Sequence, residues 1–186
     1  MGNSKQRNRR SGFTLLEVLV GGVVLTLGAV GMAGAMLSSL TLQRCESDAA
    51  LARAAARKVL EELSAADFDE AFALYNQSTQ DDAGLSLTAR GCHFAVTGLR
   101  VRPGDADGSC GRVVFPAVVA GGVEWLREDV VDAPLGMPRD LNGDGVVDNQ
   151  NRAADYQLLP VRVRVEWRGA RGDETLDLET ILCRRR

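Results

Sequence analysis

The segment from Phe13 to Leu40 constrains the fold most, because its 28 residues include a single charged residue, Glu17. As a helix it would extend about 42 Å, and the hydrocarbon core of a bilayer is about 30 Å thick. An ionised carboxylate at that depth is costly unless it meets a cation or reaches the membrane interface. The segment therefore needs an apolar environment, and Glu17 needs a partner.

Four basic residues and no acidic residue precede Glu17: Lys5, Arg7, Arg9 and Arg10. Positive charge before an apolar span predicts that residues 1–12 stay in the cytoplasm and that the chain after Leu40 lies outside. A secretory signal has an apolar region of roughly 7–15 residues followed by a cleavage site with small residues. The apolar run here is about twice that length, so an ordinary cleaved signal is a poor fit.

The run Gly12-Phe13-Thr14-Leu15-Leu16-Glu17 after a basic leader resembles the class III signal peptide of type IV pilins and type II secretion pseudopilins. The resemblance implies that a prepilin peptidase removes residues 1–12 by cutting after Gly12 and methylates the new amino terminus at Phe13. It also implies that Glu17 pairs with the Phe13 ammonium of a neighbouring subunit. A buried charge is tolerated when it is paired in this way.

The apolar pattern continues into an amphipathic segment, residues 41–66. Its apolar residues recur at spacings of three and four, interspersed with charged ones: Leu42, Cys45, Ala49, Ala52, Ala56, Val59, Leu60 and Leu63. The pattern predicts one helix over about 13–65, with residues 13–40 in the membrane or a fibre core and the rest on a sheet. Three glycines in the first half, Gly28, Gly31 and Gly34, either admit close neighbouring helices or mark a section that unwinds in a fibre.

Residues 67–186 read as a separate globular domain. Its predicted elements are a short helix over 67–76 and strands over 93–101, 112–115, 123–126, 161–167 and 175–182. The last two alternate apolar and polar residues across a glycine-containing turn, which is typical of an antiparallel hairpin. The apolar residues of this hairpin are expected to face the long helix: Val161, Val163, Val165, Trp167, Leu176, Leu178 and Leu182. The fold class expected is α+β, and the resemblance implies a pilin fold.

The segment 140–151 has oxygen-bearing residues at positions 1, 3, 5 and 9 and glycine at position 6, as in a calcium loop of the EF-hand or dockerin kind. The expected calcium ligands are Asp140, Asn142, Asp144 and Asp148 through side chains, Val146 through its carbonyl, and Asn151 at position 12. An amide at position 12 cannot bind through two oxygens, so affinity should be weaker and Asp155 could contribute instead. The alternative is a polar turn without metal affinity.

Four cysteines in an exported domain indicate disulfides, and four allow three pairings. Cys92 with Cys110 is the favoured pair, because it would close a loop rich in Gly, Pro and Asp. Cys45 with Cys183 would remain, and requires the last strand to end beside the upper helix. A zinc site is disfavoured, since no C-x-x-C occurs and His93 is the only histidine.

The composition argues against two classes of function. The net charge is −3, and the only basic cluster outside the leader closes the chain at residues 184–186, so nucleic-acid binding is not expected. No nucleotide-binding glycine motif occurs and no nucleophile motif precedes His93, so an enzyme is not expected either.

The resemblance therefore implies a minor pilin of a type IV pilus, most similar to the PilV type. Its expected partners are other pilins in the fibre, the prepilin peptidase, the inner-membrane assembly platform and the membrane itself. It would cross the inner membrane once and reach the periplasm and cell exterior after assembly. Two alternatives remain: a type II secretion pseudopilin, and a calcium-dependent adhesin or ligand-binding domain on a pilin-like anchor.

Overall fold

The structure, a computed structural model, describes residues 14–78 and 90–184. Gly12 and Phe13, at the expected cleavage point, lie outside the described residues. The chain divides into two compact units, one ending at Gln43 and one beginning at Arg44. Within the described residues, a long N-terminal helix is followed by an antiparallel sheet. The expected α+β layout is thereby confirmed.

Helix α1 runs over Leu15–Ala65, 51 residues, close to the predicted span. It begins at Thr14, whose hydroxyl accepts a hydrogen bond from the Glu17 amide at 3.3 Å and so satisfies one of the free donors of the first turn. The helix passes without interruption through Gly28, Gly31 and Gly34, and no atom lies within 4 Å of where a Cβ would stand on any of the three. Both predicted roles of these glycines involve neighbouring chains, so both stay predictions.

The residues of α1 that belong to the second unit present a narrow buried face. Ala52, Ala56, Val59 and Leu63 are its buried residues, at spacings of four, three and four, which places them on one side of the helix. Helix α2, Phe68–Tyr75, follows after Asp67, whose side chain caps it by accepting from the Asp69 amide. The short helix predicted over 67–76 is confirmed.

Residues 90–184 of the second unit form six strands: β1 His93–Phe94, β2 Gly111–Val114, β3 Ala117–Ala120, β4 Val123–Leu126, β5 Leu158–Arg168 and β6 Asp173–Cys183. Four of them form an antiparallel sheet in the order β1-β2-β5-β6, and β3 and β4 form a separate hairpin. The hairpin predicted over 161–167 and 175–182 is confirmed as β5 and β6, which extend further than predicted at both ends.

Strand β5 separates an apolar face from a charged one. Val161, Val163 and Val165 are fully buried in the same hydrophobic cluster as the buried face of α1, as the alternation predicted. On the other face, Arg164 makes two hydrogen bonds of 2.8 Å to Asp177, and Arg162 reaches Glu179 at 2.9 Å. Both pairs join residues directly opposite each other on β5 and β6, the arrangement in which cross-strand charges stabilise a sheet.

Two strand predictions need correction. The strand predicted over 93–101 is only two residues long, because the chain turns at Val96, whose carbonyl accepts from the Leu99 amide at 3.2 Å. Gly98 takes a φ of +96° within that turn, a conformation that favours glycine. The apolar run at Ala117–Ala120 was not predicted as a strand, although it forms the first half of the β3–β4 hairpin.

Tyr156 connects the start of β5 to helix α2. Its hydroxyl donates to the Phe68 carbonyl and accepts from the Phe72 amide at 3.4 Å, and its ring lies 4.9 Å from that of Phe68, centroid to centroid. Burial raises the pKa of Tyr156 to about 12. The hydroxyl is therefore neutral and available as a donor throughout the physiological range.

We expect Tyr156→Phe to lower the free energy of unfolding by about 1–2 kcal/mol, because two backbone groups of α2 lose a buried partner. Chemical denaturation of the full-length chain in detergent would measure the loss. The matched control is Tyr75→Phe, since Tyr75 is a second buried tyrosine and lies on α2 itself. Equal effects from the two substitutions would contradict the role given to the Tyr156 hydroxyl.

Candidate functional site

The first unit carries an apolar surface with one carboxylate in it. Every residue from Leu15 to Leu40 is exposed, and large side chains such as Leu25 and Leu37 are 76% and 67% exposed. Among the described residues, α1 is the one helix long and apolar enough to cross a membrane. No cationic side chain among those residues lies within ion-pairing distance of Glu17, so any partner for this carboxylate must come from elsewhere.

The loop predicted to bind calcium lies between β4 and β5. Asp140 holds the tight turn at its start, with one carboxylate oxygen accepting from the Gly143 amide at 2.6 Å and the other from the Gly145 amide at 2.7 Å. Both glycines take positive φ, +79° and +84°. Asp144 accepts from the Val146 amide at 2.8 Å. The loop thus has the compact turn that its sequence predicts, formed by hydrogen bonds from side chains to backbone.

Arg152 occupies the space among the remaining carboxylates of this loop. Its Nη2 lies 2.6 Å from Asp148 Oδ2 and 3.3 Å from Asp144 Oδ2, and its Nη1 lies 3.3 Å from Asp155 Oδ2. The side chain is 11% exposed. Desolvation alone would lower the pKa of Arg152, but the surrounding carboxylates more than offset it and the net shift is upward. A permanent cation therefore faces the loop's acidic groups.

Glu128 lies beneath the same loop and is fully buried. Its Oε1 accepts from the Leu141 amide at 2.8 Å and the Asn142 amide at 3.3 Å, and its Oε2 accepts from the Asp148 amide at 3.2 Å. The Arg152 Nε lies 3.7 Å from Glu128 Oε2. A buried carboxylate is tolerated when it is hydrogen-bonded and near a cation. Glu128 therefore fixes both ends of the loop.

Sequence reasoning missed both of these residues. Arg152 follows position 12 of the loop directly and could have been recognised as a cation adjoining an acidic cluster. Glu128 precedes the loop by 12 residues, and no spacing rule connects it to the loop. Its position is set by β4, which ends at Leu126.

The predicted calcium ligands do not all converge. Asn142, Asp144, Asp148 and Asp155 come together around Arg152, with the Asn142 amide group donating to Asp144 at 3.0 Å and Asp155 at 3.2 Å. Asn151 instead accepts from the Leu126 amide at 3.2 Å and the Ala153 amide at 3.1 Å. Within residues 14–78 and 90–184, no group of three or more His, Cys, Asp or Glu side chains is arranged to hold a metal ion. Calcium binding stays a prediction.

The structure does not bring either predicted cysteine pair together. Cys92 lies opposite Val113 in the β1–β2 ladder, three positions from Cys110, which is about 10 Å along the strand. Cys183 lines the same surface pocket as Leu63, and Cys45 precedes Leu63 on α1 by 18 residues, about 27 Å. Disulfides usually join Cα atoms less than about 7 Å apart.

All four cysteines are free thiols in the structure. Cys92 and Cys110 are buried, and desolvation raises the pKa of both thiols, which lowers the thiolate fraction needed for reaction. The disulfide pairings stay predictions from composition.

We expect the 140–151 loop to contribute less to the stability of the fold in acid. Hydrogen bonds from Asn142 and Val146, together with the Arg152 charge, hold the pKa of Asp144 below its ordinary value, which is about 3.9. The unfolded chain therefore binds a proton before the folded chain does. This contribution to stability is present above about pH 4 and is lost as the pH falls through the folded-state pKa.

Thermal unfolding of the full-length chain in detergent between pH 7 and pH 3 would measure this dependence. Asp144→Asn should flatten the fall below pH 4 relative to the unsubstituted chain. An unchanged acid profile in that variant would show that Asp144 does not contribute.

Comparisons with protein-family models, with curated proteins and with solved structures found no match to this chain. The functional assignment therefore depends on the chemistry of its own residues.

Proposed function

We propose that this chain is a pilin-like subunit, specifically a minor pilin of a type IV pilus. The observation that carries the proposal is the apolar, exposed first half of α1, in which Glu17 has no cationic partner among the described residues. A surface of this kind is unstable in water, and it suits a membrane before assembly and a bundle of helices afterwards.

The position of Glu17 supports the choice of a pilin over a simple anchor. An anchor helix gains nothing from a carboxylate in its apolar segment, because the charge opposes insertion. In a pilin-like subunit the carboxylate has a use. Cleavage after Gly12 creates an ammonium on Phe13, and the Phe13 ammonium of one subunit can pair with Glu17 of the next. This ion pair would stabilise an inserted subunit in only one register relative to its neighbour.

The rest of the chain agrees with this assignment. The second half of α1 packs on an antiparallel sheet with a buried face of four residues, so one continuous helix serves as both anchor and core element. In this proposal the partners are other pilins, the prepilin peptidase and the assembly platform of the inner membrane. The chain would span that membrane once before it enters the fibre.

The first prediction concerns processing. Mass spectrometry of the mature protein, expressed with a prepilin peptidase, should find an amino terminus at a methylated Phe13. Gly12→Val should leave the full-length precursor, because the peptidase would lose the residue after which it cuts. A mature chain that retains Met1, or one cut beyond Leu40, would refute the pilin assignment.

The second prediction concerns recruitment. Glu17→Gln should leave membrane insertion intact and reduce incorporation into sheared fibres at least about tenfold, which corresponds to the loss of a charged interaction of about 1.4 kcal/mol or more. Glu46→Gln is the matched control, since Glu46 is an exposed glutamate on the same helix. Quantitative immunoblotting of the fibre fraction would compare the two. Normal incorporation of the Glu17 variant would exclude the proposed pairing.

The same fibre preparations distinguish a pilus subunit from a secretion pseudopilin. A minor pilin should be recovered with surface fibres, and its deletion should alter fibre number or length. Loss of protein export with unchanged surface fibres would instead support a type II secretion pseudopilin.

A further inference from the structure

We propose that Arg152 takes the place of a metal ion in the 140–151 loop, so that the loop is ordered by an internal cation and folds without calcium. The sequence of this loop predicts calcium, and the arrangement of side chains points to a different cation. The inference concerns the globular unit alone and is independent of the pilin-like assignment.

Arg152 lies where carboxylates of the loop meet. Two of the predicted side-chain ligands, Asp144 and Asp148, direct a carboxylate oxygen to the same guanidinium nitrogen, at 3.3 Å and 2.6 Å. Asp155, the residue expected to compensate for the amide at position 12, is bound to the other terminal nitrogen at 3.3 Å. A guanidinium has five N–H donors in a planar fork, so it can satisfy several carboxylates at once.

Two further predicted ligands, Asp140 and Asn151, already accept hydrogen bonds from backbone amides. Both oxygens of Asp140 accept backbone amides of the turn. Asn151 accepts the amide of Leu126 and so links the loop to β4. Calcium needs six to eight oxygen ligands at about 2.3–2.6 Å. Asp144 and Asp148 each accept a backbone amide of the loop through one oxygen and contact Arg152 through the other.

A buried carboxylate also lies beside Arg152. Glu128 is fully buried, belongs to no calcium-loop position, and lies 3.7 Å from the Arg152 Nε. It connects the arginine to the amides of Leu141 and Asp148 at the two ends of the loop. The calcium-loop pattern assigns no role to Glu128, whereas Arg152 places a cation beside it. Arg152 therefore accounts for the buried Glu128 carboxylate, which the predicted calcium site does not.

Calcium titration of the unsubstituted full-length chain in detergent is the direct test. Its Tm in a few millimolar calcium chloride should equal its Tm in a chelator within about 1 °C, because a ligand that does not bind the native state cannot stabilise it. A calcium-dependent rise in Tm would overturn the proposal and restore the sequence prediction. This arm needs no substitution, so it does not depend on whether any variant folds.

Substitution tests the arginine itself. In chelator, Arg152→Gln should lower the Tm by about 5 °C or more, since several carboxylates lose their cation, and Arg152→Lys should recover part of the loss by restoring the charge. The matched control is Arg164→Gln, because Arg164 pairs with one carboxylate, Asp177, on the outer face of the sheet. It should cost about 2 °C or less. Equal losses for Arg152→Gln and Arg164→Gln would refute the central role of Arg152.

Discussion

The second unit depends on the contact between a narrow helix face and the centre of a sheet. Ala52 and Ala56 have no exposed surface, and neither have Val161, Val163 and Val165 of β5. The small alanine side chains of the helix and the β-branched side chains of the strand belong to one buried cluster. Residues of α2 and of the β3–β4 hairpin belong to the same buried cluster.

Much of this could be read from the sequence, because the relevant patterns are local. Spacing of three and four predicted α1, and strict alternation predicted the β5–β6 hairpin. The two-residue β1 could not be predicted, since its length depends on the turn at Gly98 rather than on its own apolar residues. The acidic loop shows the same limit. Its turn follows from Asp140, Gly143 and Gly145, whereas its association with Glu128 depends on where β4 ends.

Arginine has an unusually large part in the polar structure of the second unit. Arg162 is buried and reaches both Asp132, at 2.5 Å, and Glu179, while Arg152 serves the loop. A guanidinium is the cation best suited to such sites, because it loses less hydration than an ammonium and offers several donors in fixed directions. Acidic residues of these loops, including Asp132, Asp144 and Asp148, are therefore paired with arginines of the same chain.

The charged face of β5 and β6 has a consequence for how the hairpin finds its pairing. A shift of one residue between the strands would turn one complete set of side chains to the opposite side. Either the valines of β5 or the leucines of β6 would then face water, and Arg162 and Arg164 would lose Glu179 and Asp177 as directly opposite partners. Both faces of the hairpin therefore oppose a shift in register, the apolar face because its side chains would be hydrated and the charged face because its ion pairs would be broken. The register of the hairpin is therefore specified twice. Apolar residues that share a buried cluster with α1 specify it on one face, and ion pairs between the two strands specify it on the other.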